Sequence, residues 1–143
     1  LTSSNCPDID ESEAKFSPEE YRIAELLYSE GKCLKALPLA KLGRNPDALV
    51  GTQLGFDGKL IDGIVFEFKS LDFGATSKTI TSSVKRSLAR GGQARNIIVD
   101  GRNSGLIVAE AERSLRRVAG FQAGKLDSLR IVGDGFDIAT SFP

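Results

Sequence analysis

Apolar residues recur along this chain at helical spacing in three stretches and at strand spacing between them. Ser17-Pro18-Glu19-Glu20 opens the first helix, with serine at the N-cap, proline at the first helical position and glutamate at the third. Ile23, Ala24 and Leu27 then form an apolar face, Phe16 is placed to act as a hydrophobic staple, and the pattern stops near Glu30 before Gly31. Residues 33–39 suit a short strand, Gly43-Arg44-Asn45-Pro46 a turn, and Asp47-Ala48-Leu49-Val50 the start of extended structure. A meander follows over 52–56, 59–61 and 64–69, punctuated by Asp57-Gly58 and Asp62-Gly63, both good hairpin signals. Thr76-Ser77 can cap a helix over 76–90 with Ile80, Val84 and Leu88 inward, ended by Gly91-Gly92. A strand over 96–100 precedes a helix over 108–118, which turns Val108, Ala111, Leu115 and Val118 inward and ends at Gly120. Strands over 129–132 and 136–139 complete the pattern. The order implies an α/β fold, a single domain with a mixed central β-sheet flanked by helices. Residues 1–15 are polar, acidic and without period, as in a flexible arm or linker remnant, so residues 16–143 form the folded domain.

Composition narrows the chemistry. At 143 residues the chain can bury one real core, no run is long enough to span a membrane, and no signal segment opens it. A start at Leu1 rather than Met suggests a piece of something longer. With no histidine, Cys2His2 zinc fingers and histidine acid–base mechanisms are excluded, which leaves carboxylates, lysines and hydroxyls. Cys6 and Cys33 make neither a disulfide framework nor a thiolate metal cage; two free thiols are favoured over a single bridge. The net charge of zero conceals a division: residues 1–20 carry six acids and one base, while residues 73–99 carry Lys78, Lys85, Arg86, Arg90 and Arg95 and no acid.

The candidate chemistry centres on Glu67 and Lys69. Two apart in a strand, they share one face, while Phe66 and Phe68 share the other. Alone, the pair reads as the wet face of an edge strand, because burying an unpaired acid is costly. Asp47 could add a second carboxylate if its strand pairs with theirs, and Glu20, at the start of the first helix's inner face, a third, although a first-turn acid is also a routine cap. Converging carboxylates beside a lysine suit a hard divalent cation and a transferring phosphoryl group. The basic helix would then face a polyanion.

Pro46-Asp47, with Glu67-Phe68-Lys69 starting twenty residues after Asp47, resembles the signature of the PD-(D/E)XK nuclease superfamily. A longer set of pieces resembles one branch, the C-terminal toxin domains of contact-dependent growth inhibition proteins and related bacterial toxins that cut tRNA. These are Gly43-Arg44-Asn45-Pro46-Asp47-Ala48-Leu49-Val50, Phe66-Glu67-Phe68-Lys69-Ser70-Leu71, Thr76-Ser77-Lys78-Thr79-Ile80, Gly91-Gly92-Gln93-Ala94-Arg95 and Ile131-Val132-Gly133-Asp134-Gly135-Phe136-Asp137. The resemblance implies a PD-(D/E)XK nuclease-like core and a metal-dependent endoribonuclease that cleaves tRNA, neutralised by a cognate immunity protein. It implies a domain secreted or delivered from the cell surface as part of a larger bacterial protein, with action in the target-cell cytoplasm. By the same resemblance Glu20, Asp47, Glu67 and Lys69 are catalytic, and Glu20, Asp47 and Glu67 hold the metal: magnesium or manganese, with zinc the further choice. Glu25 is the alternative to Glu20. Lys78, Lys85, Arg86 and Gln93 are candidates for substrate binding; Lys85 also reads as solvated surface and Gln93 as a helix-end amide. The segment 51–62 is an insertion relative to the family pattern and is placed to touch RNA or the immunity protein. Two other readings compete: a metal-dependent DNA nuclease of the same superfamily, and a non-catalytic RNA-binding module in which Glu67 and Lys69 merely pair.

Overall fold

The first helix forms where local rules place it. The Glu20 amide donates to Ser17 Oγ at 3.2 Å and the Ser17 amide to Glu20 Oε1 at 2.9 Å, a reciprocal capping box that opens α1 (Pro18–Ser29). Phe16 packs edge-on against Tyr21, four positions into the helix, which completes the staple. In this computed structural model α1 is followed by β1 (Cys33–Ala36), β2 (Ala48–Gly51), β3 (Gln53–Leu54), β4 (Leu60–Ile61) and β5 (Ile64–Ser70). Then come α2 (Ser77–Ala89), β6 (Asn96–Asp100), α3 (Val108–Phe121), β7 (Ser128–Gly133) and β8 (Phe136–Ser141). The structure describes residue 6 and residues 8–38, 47–57, 59–89 and 94–142, so the turn read at 43–46 and the Gly91-Gly92 break lie outside the described residues.

Six strands form one mixed sheet in the order β1-β2-β5-β6-β7-β8. The β5–β6 and β6–β7 pairs are parallel and the others antiparallel. Parallel neighbours need a crossover, and α2 and α3 supply the two. Alternation along the strands divides the core in two. Ile97 and Val99 of β6 pack with Ile80 and Val84 of α2 and Ala111 and Val118 of α3, whereas Ile98 packs with Phe68 of β5 and Ile23, Ala24 and Leu27 of α1. Helices thus cover both faces, α2 and α3 on one and α1 on the other. Among the described residues no helix is long and apolar enough to cross a membrane.

Four readings change. The meander is not continuous: β3 and β4 pair only with each other, and β2 pairs directly with β5. β5 is not an edge strand, because β2 and β6 flank it on either side. α3 runs through Gly120 to Phe121 and leaves Val108 exposed, its inward face being Ala111, Ser114 and Val118. Cys6 and Cys33 form a disulfide rather than free thiols. The same bridge fastens the segment read as a flexible arm. Asp10 pairs with β1, its amide donating to Leu34 O at 2.8 Å and its carbonyl accepting from the Ala36 amide at 2.9 Å.

Candidate active site

Glu67 lies in the interior of the sheet on the face that α2 covers and is only 8% exposed. A buried carboxylate must find partners, and its Oε2 has two: Lys69 Nζ at 2.9 Å and the Ser87 hydroxyl of α2, which donates at 2.9 Å. Its Oε1 is buried and, among the described residues, has no hydrogen-bond partner. Ser87 is a site residue that the sequence reading passed over. Its signal was its place seven residues after Ile80 and three after Val84, a hydroxyl on the inward stripe of an amphipathic helix.

The antiparallel ladder brings Asp47 alongside. Ala48 is paired with Phe66, the Asp47 amide donates to Phe66 O at 3.0 Å, and the Phe68 amide donates to Asp47 Oδ2 at 2.7 Å. Glu20, in the first turn of α1, lies near enough to this carboxyl to raise it. Burial pushes Asp47 up to about 7, with the charges of Glu20 and Glu67 adding to it; the Phe68 amide works the other way. The structure therefore brings together Glu20 of α1, Asp47 before β2, and Glu67 and Lys69 of β5. Glu25 is exposed on α1, so Glu20 is the α1 carboxylate at this cluster.

The basic residues of α2 are placed differently. Ser87 turns one edge of the helix toward Glu67, whereas Lys85 extends over the Phe121 ring of α3, its Nζ 5.0 Å from the centroid. Lys78 is seven residues before Lys85 and shares its flank, and Arg86 points outward; all three are exposed. Gln93 lies outside the described residues.

Carboxylate oxygens are the donor type that a hard divalent cation takes. An orphaned buried oxygen on Glu67, and the anionic neighbours that add to the effect of burial in raising Asp47, are both relieved by positive charge. Among the described residues, no three such side chains stand grouped as a ligand set, so the acids are neighbours without being arranged for coordination. The electrostatics give a testable consequence for metal-free protein. Asp47 titrates at about 7 when folded against an ordinary value of 3.8. Between those values the folded state keeps a proton that the unfolded chain has lost, so this contribution is full below about pH 4 and disappears as pH climbs through about 7. In chelator, Asp47→Asn should gain several degrees of Tm over the unsubstituted protein as pH rises through that window, with a constant difference below it. A Tm difference independent of pH would contradict the geometry.

Comparison with known proteins adds two findings. A family model described as "Contact-dependent growth inhibition CdiA C-terminal domain" matches residues 44–138, more than half of the chain. The fold is similar to a chain of the solved "CdiA-CT/CdiI toxin and immunity complex from Burkholderia pseudomallei", with a TM-score of 0.62 and 17% identity over 93% of this chain and 98% of that one. At that identity the likeness is one of fold. No curated protein sequence matches.

Proposed function

The chain belongs to the contact-dependent growth inhibition CdiA C-terminal domain family, and from that premise we propose that it is a metal-dependent ribonuclease toxin. Its substrate is tRNA in a target bacterium, where it arrives as part of a larger delivered protein, and a cognate immunity protein neutralises it. The observation that carries the reading is the buried, unpartnered Glu67 Oε1 beside Asp47. A carboxylate oxygen buried, among the described residues, without a hydrogen-bond partner is a cost that a structural ion pair does not need.

The order of Asp47, Glu67 and Lys69 on neighbouring antiparallel strands, followed by a crossover helix, supports a PD-(D/E)XK core. Glu20, Asp47 and Glu67 would hold a divalent cation, magnesium or manganese by their all-oxygen chemistry, with zinc the further choice. When bound, such an ion neutralises charge on the scissile phosphoryl group and makes a water more acidic. The chain's own residues do the rest. Ser87 keeps Glu67 Oε2 in place so that Oε1 is the oxygen left to the site. Lys69, held at 2.9 Å from Glu67 Oε2, presents an ammonium beside the acids, where it can stabilise charge developing on a phosphate oxygen. The Phe68 amide fixes Asp47. Preference for RNA follows the family resemblance, and the similar Burkholderia chain belongs to a toxin and immunity complex, which supports an immunity protein as partner here.

The test is digestion of total bacterial RNA and of duplex DNA with magnesium, manganese or zinc, and with chelator. We expect tRNA to be cut in the presence of metal, DNA to stay intact and chelator to stop the reaction. Cutting that continues in chelator overturns the metal dependence, and cutting of DNA alone overturns the substrate.

A further inference from the structure

The sheet face that carries Glu67 is only half covered. α2 and α3 pack over β5 to β8, and toward β1 the face opens into a cavity of about 650 Å³. Register places this cavity on the sheet face that carries Glu67, one row along the strands from it. Lys35 of β1 is paired with Leu49 of β2, Leu49 with Val65 of β5, and Val65 is two residues from Glu67 on the same face, about 7 Å along the strand. Lys35, Leu49 and, from beyond the β3–β4 hairpin turn, Lys59 line the cavity. Besides three acids, its walls carry apolar surface and these two lysines, whose ammonium groups can pair with phosphates.

An acidic segment forms one wall of this cavity. Asp8, Asp10 and Glu11 line it from the segment before α1, and Glu13 forms an ion pair with Lys35. Residues 8–13 hold four acids and no base, so the segment has the charge density of a short stretch of phosphodiester. Besides the Glu13 pair, it is attached by the backbone bonds of Asp10 to β1, by the packing of Ile9 on the core beneath α1 and by the Cys6–Cys33 disulfide. The Glu13 contact raises the proton affinity of Lys35, the sign of an ammonium engaged by an anion.

We propose that this half-open face is the channel by which a nucleic-acid strand reaches the acid cluster, and that the acidic segment, which walls it and holds Lys35 through Glu13, is released when Cys6–Cys33 is reduced. The channel rests on the nuclease reading above; the release does not. A dithiol supplies two electrons and two protons, the S–S bond becomes two thiols, and the dithiol is itself oxidised to a disulfide. Outside the cell the bridge persists, and in a reducing cytoplasm it opens.

The experiment uses the full chain as Glu67→Gln, to suppress cutting, with a labelled single-stranded RNA oligonucleotide, with and without dithiothreitol. Reduction should speed hydrogen exchange at the Asp10 and Ala36 amides. It should also tighten RNA binding about tenfold at about 0.1 M salt and steepen the salt slope by about 0.7, the signature of one newly available phosphate contact. Glu13→Gln, which keeps the bridge, should reproduce part of the gain, and Lys35→Gln should remove most of it. Unchanged exchange, or an affinity that is unchanged, weaker or undetectable in both states, overturns the proposal. Tighter binding on reduction by an unsubstituted protein that cuts nothing with metal would leave the release standing and sink the nuclease reading.

Discussion

Glu67→Gln should lower RNA cleavage on the order of a thousand-fold while leaving the protein folded. Glutamine has the same shape and can still accept the Ser87 hydroxyl, so the packing between β5 and α2 survives. What it removes is the negative charge that the site would use to hold a cation and keep Lys69 in place. Because Glu67 is among the anions that push Asp47 up, the substitution should also bring Asp47 down and leave thermal stability unchanged or higher. That combination, lost activity with preserved Tm, separates chemistry from scaffolding. Asp47→Ala should lose comparable activity. Cleavage by Glu67→Gln within tenfold of the unsubstituted protein would show that the cluster is only an ion-pair network.

Phe68→Ala should be the most damaging change to stability near the site, at about 3–5 kcal/mol, or a Tm drop of about 10–20 °C. Phe68 alternates with Glu67 and points to the opposite face, where its ring stacks on Phe16 with centroids 5.7 Å apart in the core beneath α1. Truncation removes most of that contact and leaves a cavity between α1 and the sheet. It also loosens the strand whose amide holds Asp47 Oδ2. Phe56 and Phe73 are exposed, so their alanine variants should stay within about 0.5 kcal/mol. Equal losses at Phe68 and Phe73, measured by urea unfolding, would mean that the faces of β5 have been assigned wrongly.

Local signals were the reliable ones. The Ser17 capping box set the start of α1, and three β-branched residues in a row, Ile97, Ile98 and Val99, marked β6, because both depend on neighbours in sequence. The end of α3 was misplaced because a helix can carry Gly120; the backbone changes hand only at Ala123 and Gly124, where φ is 51° and 74°. Strand order was the larger omission. No local rule says that the β3–β4 hairpin stands aside while β2 pairs with β5, and that pairing is what buries Glu67 and delivers Asp47 to it. The Cys6–Cys33 bridge was hidden for the same reason, since it depends on a polar segment lying along β1. In the candidate site, residue types were legible and directions less so. The basic character of α2 was plain, but which flank meets Glu67 was decided by Ser87 and by Lys85 lying over Phe121.

The three acids are held by the first helical turn of α1, the residue before β2 and the middle of β5, and no short fragment contains them all. Helix formation is fast and local, whereas strand pairing and helix docking must first close loops. A chain that enters a cell unfolded would thus pass through its early, partly ordered states without a working site. Its potency would start only when α1 seats on the sheet and carries Glu20 to Asp47. The interval before harm begins is then set by a folding rate, and a partner that slowed that docking could disarm the chain without ever touching Glu67.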